Sequence, residues 1–403
     1  MATLPCDECE KSGPSCPAGF ERPYRQPYLI GVYLATNAIA DAATVVDGPD
    51  CAFFKAEFIH GKHDLGSTLL DVTGHHRILV SQVTTDDLTL SQGRRAAELA
   101  RRAAQQPATT LVMVTAMPLV TITGVGHDQL VRDLQPEVDA DLVAIPGRSM
   151  QGDWLAGYED VLTLLARRLV ERGGEPPADG GADRPSGVCS VSVIGYLMDR
   201  NEEDHRANVA ELRRLIEGLG LELDTIWLSG QRWPEMGQAL RSDILVALPM
   251  GRSAARTIAA QTGAQVVEVD LPFGLADTER FIRAVGRATG TEQQAEMMLV
   301  QELEQALPRL EWAIPHYFLG KRVALFGTPD LFGGFHQLAT ELGMEVIGLG
   351  CPAHRPPWLD LDGWTGVTPT FDVSPETLSR GWWRSEDRRP DIVIGTTDAL
   401  KCV

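Results

Sequence analysis

Short apolar runs that stop at a glycine or a tight turn, each followed by a helical stretch, recur along this chain. RILVSQ, TTLVMVTAM and DLVAIPG read as strands, with the Ala/Arg-rich helix QGRRAAELARRAAQQ between the first two and EDVLTLLARRLVERG after the third. Strand–helix alternation of this kind implies a parallel sheet with helices on its faces. ATVVDG is another strand, while PYLIGVYLAT, apolar nearly throughout, reads equally as a helix start or a strand.

The pattern divides the chain. Residues 1–26 carry Pro, Gly, charge and cysteines without periodicity and read as a tail. Residues 27–172 form a first Rossmann-like domain, and 173–187, within ERGGEPPADGGADRPSG, a linker dense in Gly, Pro and charge. A second domain spans 188–318 and a third, shorter one 319–403. The second and third share a layout: ELRRLIEGLGLELDTIWL and FHQLATELGMEVIGLG each run helix, glycine, strand after an apolar strand ending in glycine. The expected fold class is therefore α/β, with three Rossmann-like domains of parallel sheet flanked by helices. In such units ligands sit at the carboxyl ends of the strands.

A net charge of −19 argues against nucleic-acid binding, which needs a basic surface. No stretch approaches the roughly 20 apolar residues that span a bilayer. MATLPCDECEKSG has no basic region leading into an apolar one, so a secretory signal is not expected. Seven cysteines scattered over 403 residues do not look like a disulfide framework, and the expectation is a reducing cytoplasm.

In VVDGPDCAFFK, Cys51 follows an apolar run and a tight turn and opens the helix AFFKAEF. The dipole and free N–H groups of a helix N-terminus favour the thiolate there, the form that binds metal or attacks. Ligand, nucleophile and packing residue all remain open on these grounds. Cys189 and Cys351 lie beside strands and read as core, and Cys402 is uninformative. Cys6, Cys9 and Cys16 have a spacing that suits zinc or iron–sulfur ligation but lack a fourth ligand. His60, His63, His75 and His76 read as a solvated surface or as a metal or acid–base site. Neither Gly61-Lys62 nor Gly320-Lys321 sits in a P-loop, so any ATP must be handled by another protein.

The ordered features resemble the component 1 superfamily of nitrogenase and its relatives, including the protochlorophyllide and chlorophyllide reductases and the scaffold for nitrogenase cofactor assembly. VVDGPDCAFF is similar to the family's strand, turn and cluster-ligating cysteine. TTLVMVTAMPLVTITGVGHD, VSVIGYLMDRNEEDHRANVAELRRLIEGLGLELD and GKRVALFGTPDLFGGFHQLATELGMEVIG resemble three further windows, and LPFGLADTERFIRAV the family's P-x-G-x-x-x-T segment.

Departures from the family pattern bear on which subunit the resemblance implies. Family chains that give three cluster cysteines have one near the position of Gln26 here and another where Thr115, Ala116, Met117 and Pro118 stand. Where the nitrogenase α subunit holds its large cofactor through a cysteine, this chain has Leu248 and Pro249. The resemblance thus implies a β-like subunit in which Cys51 is the single ligand to a 4Fe–4S cluster shared with a homologous α-like partner, in an α2β2 heterotetramer. CDEC in the tail is not a family feature and leaves a second metal site at Cys6, Cys9 and Cys16 open.

The implied activity is that of an oxidoreductase subunit. A separate iron-protein-like ATPase docks near Cys51 and passes electrons through the cluster to a small-molecule substrate, with a tetrapyrrole as one option. Trp154, Tyr158 and Phe273 are then either aromatic lining or core. Two alternatives stand beside it: a scaffold for iron–sulfur cofactor assembly, and a Rossmann-like binding protein without a cluster.

Overall fold

A computed structural model describes residues 25–59, 67–70, 76–84, 86–87, 93–173, 187–198, 205–361, 364, 366–383 and 389–395. The first unit opens with α1 (Tyr28–Asn37), β1 (Ala42–Asp47), α2 (Cys51–Ile59) and β2 (Ile78–Val80). It continues through α3 (Arg94–Ala104), β3 (Leu111–Ala116), α4 (Pro118–Thr121), α5 (His127–Leu134), β4 (Asp141–Ala144) and α6 (Trp154–Glu171). Its strands are all parallel, in the order β2-β1-β3-β4.

The second unit repeats that order as β6-β5-β7-β8. It comprises β5 (Ser190–Ile194), α7 (His205–Glu217), β6 (Glu222–Ile226), α8 (Trp233–Met236), β7 (Ile244–Ala247), α9 (Arg252–Thr262) and β8 (Gln265–Glu268). The helical stretch that follows is two helices, α10 (Gly274–Thr289) and α11 (Glu292–Ala313), broken at Gly290 where φ is +70°. A third parallel sheet, β10-β9-β11, is built from β9 (Arg322–Phe326), α12 (Phe332–Glu341), β10 (Glu345–Gly350), α13 (Pro375–Trp383) and β11 (Ile392–Gly395). The fold is thus α/β with three Rossmann-like sheets. In each, the chain leaves the first strand on one side and returns on the other, and that reversal parts the loops at the carboxyl ends.

The segment YLIGVYLATN is a helix, and all ten of its residues are buried. It has no polar face to show a helical period because it is covered on every side. Two glycines let it lie backbone to backbone against α6. A Cβ on Gly31 would stand 1.8 Å from the carbonyl oxygen of Trp154, and one on Gly157 would stand 2.2 Å from that of Tyr28. Buried helix ends leave carbonyls without partners, and here Arg77 supplies the donors. Its guanidinium reaches the carbonyls of Thr36, Ile39 and Ala42. Burial lowers this arginine to about 10, against the raising effect of Asp41.

Two buried aspartates lock the first unit to the second through one tryptophan. Asp41 accepts the backbone N–H of Trp233 at 2.7 Å, and Asp141 accepts its indole N–H at 2.6 Å. Asp141 also takes Arg168 and Arg172 from α6. The third unit is tied to α6 as well: His354 donates its N–H to Asp153, and the Trp358 indole donates to Glu159. One apolar cluster runs through all three units. Among the described residues, no helix is long and apolar enough to cross a membrane.

Gly157→Ala forces two backbones apart, and we expect a loss of about 1–3 kcal/mol or more in chemical denaturation. Glu159 yields a pH prediction. Burial pushes its carboxyl from 4.5 up to about 7, opposed by the Trp358 hydrogen bond and reinforced by Asp153 and Asp160. Between those values the native state holds a proton that the unfolded chain has released, so stability falls as pH rises across the window. Melting temperatures of Glu159→Gln should be flatter between pH 5 and 8 than those of the parent chain; an unchanged slope would contradict the assignment.

Candidate functional site

β1 and β3 are adjacent strands, and the loops leaving their carboxyl ends define a shared edge. The β1 loop is the turn Asp47-Gly48-Pro49-Asp50. Gly48 passes so close to the β3 loop that a Cβ there would stand 2.6 Å from Cγ of Met117. The Met117 N–H donates to the Asp47 carbonyl at 2.9 Å, which pins the two loops together.

Asp47 is 1% exposed, and both its carboxylate oxygens are engaged. Ser81 donates its hydroxyl to Oδ1 at 2.7 Å while accepting the Gly48 N–H at 2.9 Å. Nε2 of His127, the first residue of α5, lies 3.0 Å from Oδ2. Three loops, after β1, β2 and β3, thus converge on one buried carboxylate.

That network presents Cys51, which is exposed at the start of α2. Beneath it the Tyr33 hydroxyl donates to the Ala52 carbonyl at 3.3 Å. Burial first, and neighbouring Cys51 second, hold that phenol well above its ordinary range, so it serves as a neutral donor. The elements around the thiol carry large exposed apolar side chains: Phe54 is 69% exposed on α2, and Leu119 and Ile122, after β3, are 48% and 75% exposed.

The other candidates divide clearly. Cys351 is fully buried, and burial raises its thiol well above the ordinary value; Cys189 is raised by burial and by Asp243 and Asp224. Neither has the exposed setting of a reactive thiolate. Cys6, Cys9, Cys16 and Cys402 lie outside the described residues, as do His60, His63 and His75. His76 accepts the Ile78 N–H and lies with its ring 5.0 Å from that of Phe53. Among the described residues no three His, Cys, Asp or Glu side chains come together as a metal site. A lone exposed thiol fits one corner of a shared cluster and cannot form a complete site by itself.

Trp154 and Tyr158 are core residues, 5% and 0% exposed. Phe273 lines a cavity of about 260 Å³ between the second and third units. Tyr196 after β5 and Thr328 and Asp330 after β9 stand on its walls. This is the carboxyl-end position where doubly wound sheets bind ligands.

Three parallel sheets, with the one exposed thiol among the described residues at the edge of the first and a cavity between the other two, define an α/β protein of the Rossmann type. The chain belongs to the nitrogenase component 1 type oxidoreductase family, whose model matches residues 27–402. It is similar to a light-independent protochlorophyllide reductase subunit of Halorhodospira halophila, 27% identical over 232 residues that cover 55% of this chain and 40% of the relative. The chlorophyllide reductase 52.5 kDa chain of Cereibacter sphaeroides is 22% identical over 365 residues, 89% of this chain and 67% of that one. A solved structure titled nitrogenase Cp1 at pH 6.5 superposes with a TM-score of 0.68 at 16% identity, covering 87% of this chain and 78% of that one. The match spans well under half of the first relative, 40% of its length.

The Asp47–His127–Ser81 network has no local sequence signature, because its members are separated by up to 80 residues. One signal points towards it: Asp47 ends an otherwise apolar strand, where a carboxylate requires partners. His127→Ala leaves that carboxylate with one donor fewer. We expect a loss of about 1–3 kcal/mol and faster hydrogen exchange in residues 47–52; unchanged exchange there would show that the pair does not hold the turn.

Proposed function

We propose that this chain is the β-like subunit of a nitrogenase-like, two-component, ATP-dependent reductase, in which Cys51 is its one ligand to a 4Fe–4S cluster shared with a homologous α-like subunit. The observation that carries the reading is the setting of Cys51: an exposed thiol at a helix N-terminus, at the carboxyl edge of a parallel sheet, beside a loop pinned to the one after β3. Family membership and the reductase subunits among its relatives support it.

When bound, the cluster supplies one-electron transfer. Each surrounding residue has a task. The start of α2 holds the Cys51 sulfur in the open at the carboxyl edge of the sheet. Asp47, Ser81 and His127 fix the turn, so that the thiol meets a partner's ligands without reorganising the backbone. Phe54, Leu119 and Ile122 are placed to be covered by the partner, which would exclude water from the thiol. Burial and hydrogen bonds to sulfur are the levers that tune such a centre.

A small-molecule substrate would enter the cavity beside Phe273. At about 260 Å³ that cavity falls just below the usual range of small-molecule sites, about 300–1,000 Å³. A flat macrocycle such as a tetrapyrrole would need further walls from the α-like partner. ATP belongs to a separate iron-protein-like ATPase reductase docking on the first unit, and the assembly would work in the cytoplasm as an α2β2 heterotetramer. Cys6, Cys9 and Cys16 remain candidates for a second metal site.

Cys51→Ala, co-purified anaerobically with the α-like partner, should lose iron and visible charge-transfer absorption, whereas Cys189→Ala and Cys351→Ala should keep both. Unchanged iron in Cys51→Ala would overturn the assignment. Oxidation of the reduced ATPase partner that depends on ATP and on added substrate supports a reductase. Onward transfer of an iron–sulfur cofactor without any reduction would instead identify an assembly scaffold.

A further inference from the structure

A separate cleft of about 610 Å³ opens where all three units meet, and neither Cys51 nor the cavity beside Phe273 belongs to it. One wall is a face of α6 carrying Asp160, Thr163 and Arg167; the opposite wall is the first turns of α9, with Arg252, Ser253 and Arg256. Arg148 comes from the loop after β4, and Trp358 of the third unit closes one side. Four arginines therefore face a cleft that holds only two carboxylates, in a chain whose net charge is −19.

The arginines are only partly used. Arg148 stands 3.4 Å from Asp160, Arg252 3.2 Å from Asp270, and Arg256 2.5 Å from Glu268. Each guanidinium has five N–H donors, so such pairs leave capacity. Nε of Arg252 is buried without a hydrogen bond, its nearest carboxylate oxygen, on Glu268, being 3.7 Å away. Arg167 has no ion pair among the described residues. Arg252 and Arg256 are one helical turn apart and share a face. No side chain caps the N-terminus of α9, whose dipole adds positive potential at the same wall. Of the two carboxylates, Asp160 is already engaged by Tyr28 and Arg148, and Glu159, held up to about 7, is largely neutral at mildly acidic pH.

We infer that this cleft binds a small multivalent oxyanion, a phosphate ester or a polycarboxylate, through Arg167, Arg252, Arg256 and the first turn of α9. Guanidinium groups match carboxylate and phosphate oxygens in pairs, and a volume of about 610 Å³ suits a small molecule. Because the walls come from different units, the bound anion would brace them against one another.

The test is calorimetric titration and thermal melting of the full chain with sodium pyrophosphate and, separately, trisodium citrate, with sodium chloride matching the ionic strength. Saturable binding and a rise in melting temperature beyond the chloride control are expected from at least one probe. A response to pyrophosphate alone identifies a phosphate ester, and one to citrate alone a polycarboxylate. Arg167→Gln and the double variant Arg252→Gln/Arg256→Gln should each weaken binding about tenfold or more, whereas Arg213→Gln, on the exposed face of α7, should not. If the double variant fails to fold, Arg167→Gln, exposed and unpaired, decides alone. No saturable binding by either probe, or binding that Arg167→Gln leaves unchanged, overturns the proposal.

Discussion

Two helices whose backbones touch set the frame for everything else in this molecule. Gly31 and Gly157 bring α1 and α6 closer than any side chain would allow, and α1 then runs directly into β1, the strand that presents Cys51. Along the rest of α6 stand Arg168, which pairs with Asp141, the Glu159–Trp358 contact and the wall of the arginine cleft. One helix thus references the first sheet, the second unit and the third unit to a common line. A shift at the glycine crossing would propagate to all of them, because packed interiors transmit strain rather than absorb it.

Burying a helix completely has an electrostatic cost at its ends, and the fold answers it with a charge. Arg77 places its guanidinium over the carbonyls that close α1, where a lysine's compact ammonium could not span the same acceptors. The same logic recurs at Asp41 and Asp141, buried carboxylates surrounded by N–H donors from elements far apart in the chain. Each loses part of its compensation inside the protein if a neighbour leaves, so these groups specify one arrangement of the units more than they add net stability.

How much of this was legible from the sequence depends on the range over which each signal acts. Strands such as LVMVTA and SVSVI could be read because they are buried on both faces and carry only β-branched, apolar or small hydroxyl side chains, with no charge. Cys51 at its turn was legible because strand, turn and helix start are local chemistry. YLIGVYLATN stayed ambiguous for a physical reason: a helix with no solvent face has no amphipathic period. His127 could not be assigned to Asp47, because only the pairing of β1 with β3 brings their loops together, nor Arg148, Arg167, Arg252 and Arg256 to one cleft, because only the packing of separate units does. Pairing across such distances leaves no trace in a local pattern.

The α1–α6 crossing also bears on how the protein is made. Tyr28 and its hydrogen-bond partner Asp160 are 132 residues apart. At typical rates of synthesis, roughly 7 to 26 s separate the emergence of the two. Through that interval α1, buried on every side in the finished fold, lacks the helix it packs against. Until α6 leaves the ribosome, the apolar surface of that segment is open to non-native contacts. The order of synthesis therefore acts on this fold as a constraint separate from the stability of the finished structure.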